Sequence, residues 1–285
     1  MINPYQNLYI YYFNGLPKIE KAIENNRHFL GTWEDDDIAF LFFSTRCDQL
    51  VDIILEKNNT IELVDIYEMT GEQWHGDKIE PYYVNDLCIY PPWHPPEKSD
   101  PGIKEIIMDP GVVFGTGRHQ TTEDCLHLIH RLFAREKIGS VLDIGTGTGL
   151  LSLGAAALGC PQVMACDFNH LAVKTTLNNI RLNRFEERVL AFQARGEQIM
   201  DIPCDLLVAN IHYDVMRHMI ELPSLLEKKW FILSGLLNSE TKKVLASLSE
   251  KNVHIIERRC PDGIWNTILG RSLSFLPGVS DIESR

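Results

Sequence analysis

Apolar and polar residues follow two different rhythms between residues 108 and 271. Short apolar segments, typical of buried strands, are separated by longer segments in which apolar residues recur every three or four positions, as in amphipathic helices. Seven strands are predicted, at SVLDIG, QVMACDF, RVLAFQA, DLLVANI, WFILSG, VHIIERR and WNTILGR. Helices are predicted between the first five of these, over residues 149–159, 170–183, 214–226 and 238–249. This alternation predicts an α/β domain built on a doubly wound, mostly parallel sheet.

The last two predicted strands are joined by a very short connection. Only CPDGI separates VHIIERR from WNTILGR. Parallel neighbours need a crossover of a dozen or more residues, which this segment does not supply. We therefore expect these two strands to form an antiparallel hairpin at one edge of the sheet.

The first 72 residues have a different element order. The predicted elements are a strand at NLYIYYF, a helix at LPKIEKAIENN, a hairpin at HFLGTWEDDDIAFLFFS, a helix at RCDQLVDIILEKNN and a strand at TIELVDIYEM. This βαββαβ order predicts a small domain with helices on one face of an antiparallel sheet. Burial in a strand accounts for the aromatic run from Tyr9 to Phe13, so we interpret it as core rather than as a ligand platform. Residues 73–107, rich in proline and tryptophan, are expected to be a linker that lets the small domain move.

Composition places the chain among globular proteins, with 45% hydrophobic and 23% charged residues in 285. The N-terminal residues lack the basic start of a signal peptide. The apolar run from Leu150 to Cys160 is too short to cross a bilayer, so we expect no contact with a membrane. Seven cysteines form no C-x-x-C pair, which favours buried thiols in a reducing cytoplasm over a disulfide framework or a metal site.

Negative charge is concentrated near the N-terminus. The net charge is −12, and residues 1–75 carry five basic and thirteen acidic side chains, or about −8. Such a region repels a phosphate backbone, so we do not expect nucleic acid to bind directly. It would attract a basic protein, although solubility alone is an equally good explanation of the charge.

A glycine-rich loop, DIGTGTG, follows the first predicted strand of the larger domain, where open α/β sheets bind ligands. A dinucleotide fingerprint has the spacing G-x-G-x-x-G, but here the third glycine, Gly149, comes one residue early. Asp143 precedes the first glycine, Gly145, by two residues and would repel a pyrophosphate. S-adenosylmethionine (SAM) carries no phosphate, and Asp143 can recruit its ammonium group. Gly145 and Gly147 let the backbone approach such a ligand closely.

A second acid, Asp167, ends the next predicted strand, 22 residues after Gly145. A carboxylate at this place accepts hydrogen bonds from ribose hydroxyls, which suits NAD as well as SAM. The glycine spacing, Asp143 and the terminal hairpin together favour SAM.

A third polar residue, Asn210, ends the strand VANIH and is expected to face the transferable methyl group. Its alternative role is to cap the following helix.

His127 and His130, one helical turn apart, are interpreted as a solvated face, and we expect no metal ion. Glu197, which follows the third strand, either contacts the adenine or is merely exposed.

A second glycine-containing segment, IIMDPGVVFGTGRHQTTEDCL, lies upstream and lacks the lysine of a phosphate-binding P-loop. It is similar to a loop of the bacterial ribosomal-protein lysine methyltransferase family (PrmA), whose members modify ribosomal protein L11. The resemblance continues through PWHPP, DIGTGTGLLSLGAAALG, ACDFNHLAVKTTLNNIRLN, DLLVANI, ILSGLL and GIWNTILGR, and covers about residues 73–271.

The resemblance implies a Rossmann-like, seven-stranded SAM-methyltransferase domain preceded by a small α+β, ferredoxin-like domain that grips a protein substrate. We expect the boundaries to be 1–72 for substrate recognition, 73–107 for the linker, 108–271 for the methyltransferase domain and 272–285 for a tail. The segment 108–122 would be a flap over the SAM, with Thr122 starting the helix that follows. The expected cofactor-binding residues are Thr121, Thr122, Phe114, Gly117, Asp143, Gly145, Gly147, Asp167, Glu197 and Asn210.

For transfer to a lysine, the expected catalytic residues are Asn210, His119 and Trp265, with His212 as a further proton acceptor. Trp265 either walls the acceptor pocket or belongs to the core. The family has Thr-His-Pro-Thr-Thr where this chain has Arg118-His119-Gln120-Thr121-Thr122, and leucine in place of His212. These departures leave the expected cofactor and reaction type unchanged and concern the acceptor. The alternatives are a different protein or small-amine acceptor, and a SAM-binding module without catalysis. We expect a monomer in which residues 1–72 bind a basic ribosomal protein and contribute little to SAM binding.

Overall fold

The computed structural model describes residues 2–98, 100–113 and 115–275. Its N-terminal part contains the predicted elements in the predicted order. They are β1 (Leu8–Asn14), α1 (Lys21–Glu24), β2 (Phe29–Asp35), β3 (Ile38–Phe43), α2 (Asp48–Lys57) and β4 (Glu62–Met69). The sheet has the order β2-β3-β1-β4 with antiparallel pairs throughout. The predicted ferredoxin-like arrangement is therefore confirmed.

The first helix is much shorter than the segment LPKIEKAIENN predicts. Only four residues are helical, and Glu20, which precedes them as the cap residue, makes no side-chain hydrogen bond to stabilise the first turn. Ile23 is the buried residue of this helix. The hairpin between β2 and β3 turns at its acidic centre, with Asp36 in the left-handed region at φ 46°.

Residues 73–107, for which the sequence predicts a linker, contain a small sheet. Helix α3 (Gly71–His75) leads into β5 (Tyr82–Val84), β6 (Leu87–Tyr90) and β7 (Lys104–Ile107), which lie in that order. Leu87, Ile89 and Ile106 are fully buried in the same core as the larger domain. This segment is therefore packed against the larger domain and is not a free connection.

The larger domain follows the predicted alternation of strands and helices. Its elements are α4 (Gln120–Phe133), β8 (Ser140–Ile144), α5 (Leu150–Ala157), β9 (Gln162–Asp167), α6 (His170–Asn183), β10 (Val189–Gln193), β11 (Leu206–Asn210), α7 (Tyr213–Met219), β12 (Trp230–Leu237), α8 (Asn238–Ser249), β13 (Val253–Arg259) and β14 (Trp265–Ser272). Short 3₁₀ helices lie at Gly196–Gln198, Pro223–Glu227 and Leu273–Phe275. The predicted helix over 214–226 ends at Met219, and Pro223 begins a 3₁₀ turn because proline cannot continue an α-helix.

The large sheet has the order β10-β9-β8-β11-β12-β14-β13. The first five strands are parallel, and β14 lies antiparallel between β12 and β13. The predicted parallel sheet and its antiparallel edge hairpin are both confirmed. Strand order reverses between β8 and β11, and this is where sheets of this kind bind ligands. Most of the expected tail, residues 276–285, lies outside the described residues.

All seven cysteines carry free thiols. Five of them are buried, as the sequence predicts, whereas Cys47 and Cys260 are partly exposed. Among the described residues, no helix is both long and apolar enough to span a bilayer.

Candidate functional site

The three polar residues singled out in the sequence lie at the carboxyl ends of neighbouring strands. Asp143 belongs to β8, Asp167 ends β9 and Asn210 ends β11. Because β8 pairs with both β9 and β11, the fold brings these three strand ends together at the point where the strand order reverses.

The glycine loop after β8 adopts a backbone that other residues rarely adopt. Gly145, Gly147 and Gly149 have φ of 73°, 57° and 85°. A Cβ atom added to Gly145 would lie only 2.2 Å from Ile211 Cγ2. Both the conformation and the close approach of Ile211 therefore require glycine at position 145.

Asp143 lies beneath this loop and is 1% exposed. Thr146 Oγ1 and Ser152 Oγ each donate a hydrogen bond of 2.7 Å to its Oδ2. Its other oxygen, Oδ1, is buried and accepts no hydrogen bond from the described residues. Burial raises the pKa of Asp143 to about 6, and the negative charge of Asp167 acts in the same direction. Oδ1 of Asp143 can therefore accept a hydrogen bond from a ligand.

Replacing Asp143 with asparagine is expected to stabilise the ligand-free protein near neutral pH. The folded-state pKa lies above the reference value, so the contribution of this acid to stability is present below about pH 4 and is lost as the pH rises through about 6. Asparagine avoids burying that charge. We therefore expect the free energy of unfolding of the variant to exceed that of the wild type by about 1–2 kcal/mol at pH 8. Denaturant unfolding at pH 5 and pH 8 measures the difference. A variant that is relatively less stable at pH 8 than at pH 5 would contradict the expectation.

Asp167 connects the glycine loop to the start of α6. Its Oδ2 accepts a hydrogen bond from Gly147 N and its Oδ1 accepts one from Asn169 N, both at 3.0 Å. Burial raises the pKa of Asp167, while these backbone donors lower it. Each carboxylate oxygen retains a second lone pair, so the group can still accept from a pair of hydroxyls.

Asn210 lies beside the start of α4 and does not cap α7. Its Nδ2 donates to Thr122 Oγ1 at 3.3 Å, whereas the cap residue of α7 is His212. The alternative interpretation of Asn210 as a helix cap is therefore wrong. A Cβ atom added to Gly235 would come within 3.2 Å of Asn210 Oδ1, so this glycine makes space beside the amide.

His119 caps helix α4, which starts at Gln120 rather than at the expected Thr122. Its Nδ1 accepts from Thr121 N at 3.4 Å and lies 2.8 Å from Thr121 Oγ1. These two contacts hold the ring at the start of α4. The proton-accepting role expected of His119 stays a prediction. The ring also packs edge-on against Trp265, with centroids 5.2 Å apart.

The remaining expected site residues have varied surroundings. Thr121 and Thr122 are buried, and Trp265 is half-buried at the start of β14. Gly117 is also buried, and a Cβ atom there would lie 1.8 Å from Tyr82 Oη, so close packing alone accounts for this glycine. Glu197 is half-exposed in a 3₁₀ turn. Phe114 lies outside the described residues.

The two histidines of α4 have different environments. His127 is exposed, which agrees with a solvated face, but His130 Nε2 lies 2.9 Å from Asp86 Oδ1 at the turn between β5 and β6. His130 therefore contacts a neighbouring element and is not simply solvated.

Asn179 of α6 is a site residue that the sequence analysis missed. It is fully buried, and its Nδ2 donates to both Asp109 O and Thr148 O at 2.8 Å. Its Oδ1 accepts from Asp109 N at 2.8 Å. One side chain thus joins the expected flap to the glycine loop. The repeated Thr-Thr and Asn-Asn pairs in TTLNNIRLN, unusual on a buried helix face, were the available signal.

The sheet order and the polar strand ends define a Rossmann-like methyltransferase fold. In agreement, the crystal structure of a ribosomal protein L11 methylase from Lactobacillus delbrueckii subsp. bulgaricus superimposes with a TM-score of 0.58 and 25% identity. The match covers 68% of this chain and 99% of that one.

Sequence comparisons identify the family. The family model described as ribosomal protein L11 methyltransferase (PrmA) matches residues 17–272, and the chain belongs to this family. A relative with that name from Streptococcus thermophilus is 32% identical over 243 residues, covering 82% of this chain and 74% of its own length. Another from Dictyoglomus thermophilum is 31% identical over 218 residues, covering 74% and 70%.

Proposed function

We propose that the protein is a SAM-dependent methyltransferase that transfers methyl groups to amino groups of ribosomal protein L11, chiefly lysine side chains. The observation that carries the proposal is the meeting of Asp143, Asp167 and Asn210 around a glycine loop at the switch point of the sheet. We infer the identity of the acceptor from membership of the PrmA family and from the names of the relatives.

The site suits SAM better than a dinucleotide. Asp143 Oδ1 is buried without a donor among the described residues, which suits a cofactor that brings an ammonium group. Two carboxylates so close to the loop would repel a pyrophosphate. Asp167 would hold the ribose, and the loop backbone at Gly145 and Gly147 would approach the methionine part.

Other residues complete the proposed cofactor site. Thr121, Thr122 and Asn210 would line its methyl end, Glu197 its adenine end, and the flap with Gly117 and Phe114 would cover it. When bound, SAM supplies a methyl group on a positively charged sulfur.

Methyl transfer requires an amine with a free lone pair. At pH 7, deprotonating a lysine with the reference pKa costs about 4–5 kcal/mol. A site that excludes water lowers this cost by disfavouring the charged amine, so positioning is more important than a strong base. We propose that Asn210 Oδ1 accepts a hydrogen bond from the amine and that Trp265 contacts the incoming cation through its ring face. His119, as the cap of α4, would position Thr121 and Trp265.

The acidic N-terminal domain would bind the basic substrate. Its hairpin contacts the edge of the cofactor site, since Asn169 Nδ2 donates to Glu34 O at 3.3 Å and Asn169 N donates to Asp167. The acidic turn that begins at Glu34 thus adjoins the Asp167 end of the proposed cofactor site, where its negative charge would attract a basic substrate.

Incubation with SAM and purified ribosomal protein L11 tests the proposed function. We expect the mass of L11 to increase in 14 Da steps, the mass of CH₂, and peptide fragmentation to place the added mass on lysines. The control omits SAM. A second incubation uses a cell extract and labelled SAM. If L11 stays unmodified and a protein of another size is labelled in the extract, the acceptor is a different protein.

A further inference from the structure

The N-terminal domain and helix α3 contact the flap directly. Tyr5 Oη donates to Asp109 Oδ1 at 2.7 Å, and Trp74 Nε1 donates to Val112 O at 3.0 Å. His75 Nε2 lies 3.2 Å from Gly111 O, and since a carbonyl can only accept, the histidine is the donor. Three side chains from the first 75 residues thus hold the first half of the flap.

Apolar contacts strengthen this attachment. Val112 is 1% exposed and Val113 is fully buried. They belong to one cluster with Leu8, Ile10 and Phe42 of the N-terminal sheet. Burying a valine side chain contributes about 1.5–3 kcal/mol, so moving the N-terminal domain away would leave this part of the flap exposed to water at a considerable cost.

The opposite side of the flap is bound to the glycine loop. Asn179 bridges Asp109 and Thr148, and Thr148 Oγ1 donates to Gly115 O at 2.8 Å. Asp109 to Val113 are therefore held between the N-terminal domain and the loop expected to bind the cofactor, and Gly115 is bonded to that loop as well.

A second contact reaches the cofactor site by another route. A Cβ atom added to Gly31 in β2 would lie 2.4 Å from Leu171 Cδ1 at the start of α6, so the two elements touch closely. Beside this contact, Asn169 bonds to both Glu34 O and the Asp167 carboxylate. The N-terminal domain thus contacts both the flap and the residues that follow Asp167.

We propose that Tyr5, Trp74 and His75 are positioning residues for cofactor binding, holding the flap in place over the SAM. The proposal rests on the proposed function, and it replaces the expectation that residues 1–72 contribute little to SAM binding. It also has a thermodynamic consequence, because coupling between two binding sites is reciprocal. A protein substrate that binds the N-terminal domain and holds it against the flap raises SAM affinity by the same factor by which SAM raises substrate affinity.

Tyr5→Phe tests the proposal, with Tyr9→Phe as the matched control. Each variant keeps the aromatic ring and removes one hydroxyl. Tyr5→Phe loses the hydrogen bond to Asp109 in the flap, and Tyr9→Phe loses an exposed hydrogen bond to Glu68 within the N-terminal sheet. Loss of one such hydrogen bond is expected to raise the SAM dissociation constant about fivefold in Tyr5→Phe. The KM for SAM should rise by a similar factor while kcat at saturation changes by less than about twofold. Tyr9→Phe should leave these quantities unchanged.

A second variant and a second measurement separate positioning from general stability. Trp74→Phe removes the N–H that reaches Val112 O and should weaken SAM binding in the same way. In both Tyr5→Phe and Trp74→Phe, amide hydrogen exchange over residues 109–113 should be faster than in Tyr9→Phe. Faster exchange with unchanged SAM affinity in both variants would overturn the proposal. A wild-type protein that binds no SAM would instead overturn the proposed function itself.

Discussion

Asp167→Ala is expected to weaken SAM binding by about 1.5–3 kcal/mol, which is the scale of losing a charge-assisted hydrogen-bond partner. The carboxylate lies at the end of β9, and both of its oxygens retain lone pairs after accepting from Gly147 N and Asn169 N. Removing it takes away the proposed ribose acceptor and also one support of the glycine loop. Calorimetric titration with SAM measures the loss.

Asp167→Asn separates these two contributions. Asparagine can still accept from Gly147 N through its amide oxygen but carries no charge, so its SAM affinity should lie between those of wild type and Asp167→Ala. Thermal unfolding of the three proteins checks that the fold persists. Unchanged SAM affinity in a folded Asp167→Ala protein would mean that the ribose binds elsewhere.

Asn210→Ala is expected to lower turnover far more than SAM affinity. Its amide faces the start of α4 at the methyl end of the proposed site, where it would orient the acceptor amine in the reacting geometry. Interactions of this kind, made mainly in the transition state, are worth about 10²–10³-fold in kcat. The measurement is the rate of methyl transfer to ribosomal protein L11 at saturating SAM.

His212→Leu tests the proton-accepting role expected of His212. The His212 side chain makes no capping hydrogen bond to α7, and leucine is the residue expected from the resemblance to the family. We expect turnover to change by less than about threefold, which would leave His212 without an essential part in proton transfer. Turnover within twofold of wild type in Asn210→Ala would show that the amide is not part of the reacting geometry.

Site residues that lie at the ends of strands could be predicted from the sequence. Asp143, Asp167 and Asn210 could be placed at strand ends because alternating apolar segments located the strands, and parallel strands place their carboxyl ends at one edge. The glycine loop was recognisable for the same reason. The helix start at Gln120 was missed because histidine is an uncommon cap and the Thr pair after it resembles a start signal.

Contacts between residues that are far apart in the sequence could not be predicted. Tyr5 and Asp109 are 104 positions apart, and Asn179 reaches Asp109 across 70. No local pattern encodes such pairs, because they depend on how whole elements pack. The strands at Leu87–Tyr90 and Lys104–Ile107 were missed for a different reason, since each has only four residues and the intervening proline-rich segment dominates the composition.

A crystal structure with S-adenosylhomocysteine, the product of SAM after methyl transfer, tests the central claim most directly. We expect the ribose hydroxyls within hydrogen-bonding distance of the Asp167 carboxylate, the ammonium group near the glycine loop above Asp143, and the sulfur facing Asn210. The flap should remain attached to Tyr5 and Trp74. Density for the ligand away from these strand ends, or with the ribose beyond reach of Asp167, would contradict the assigned site.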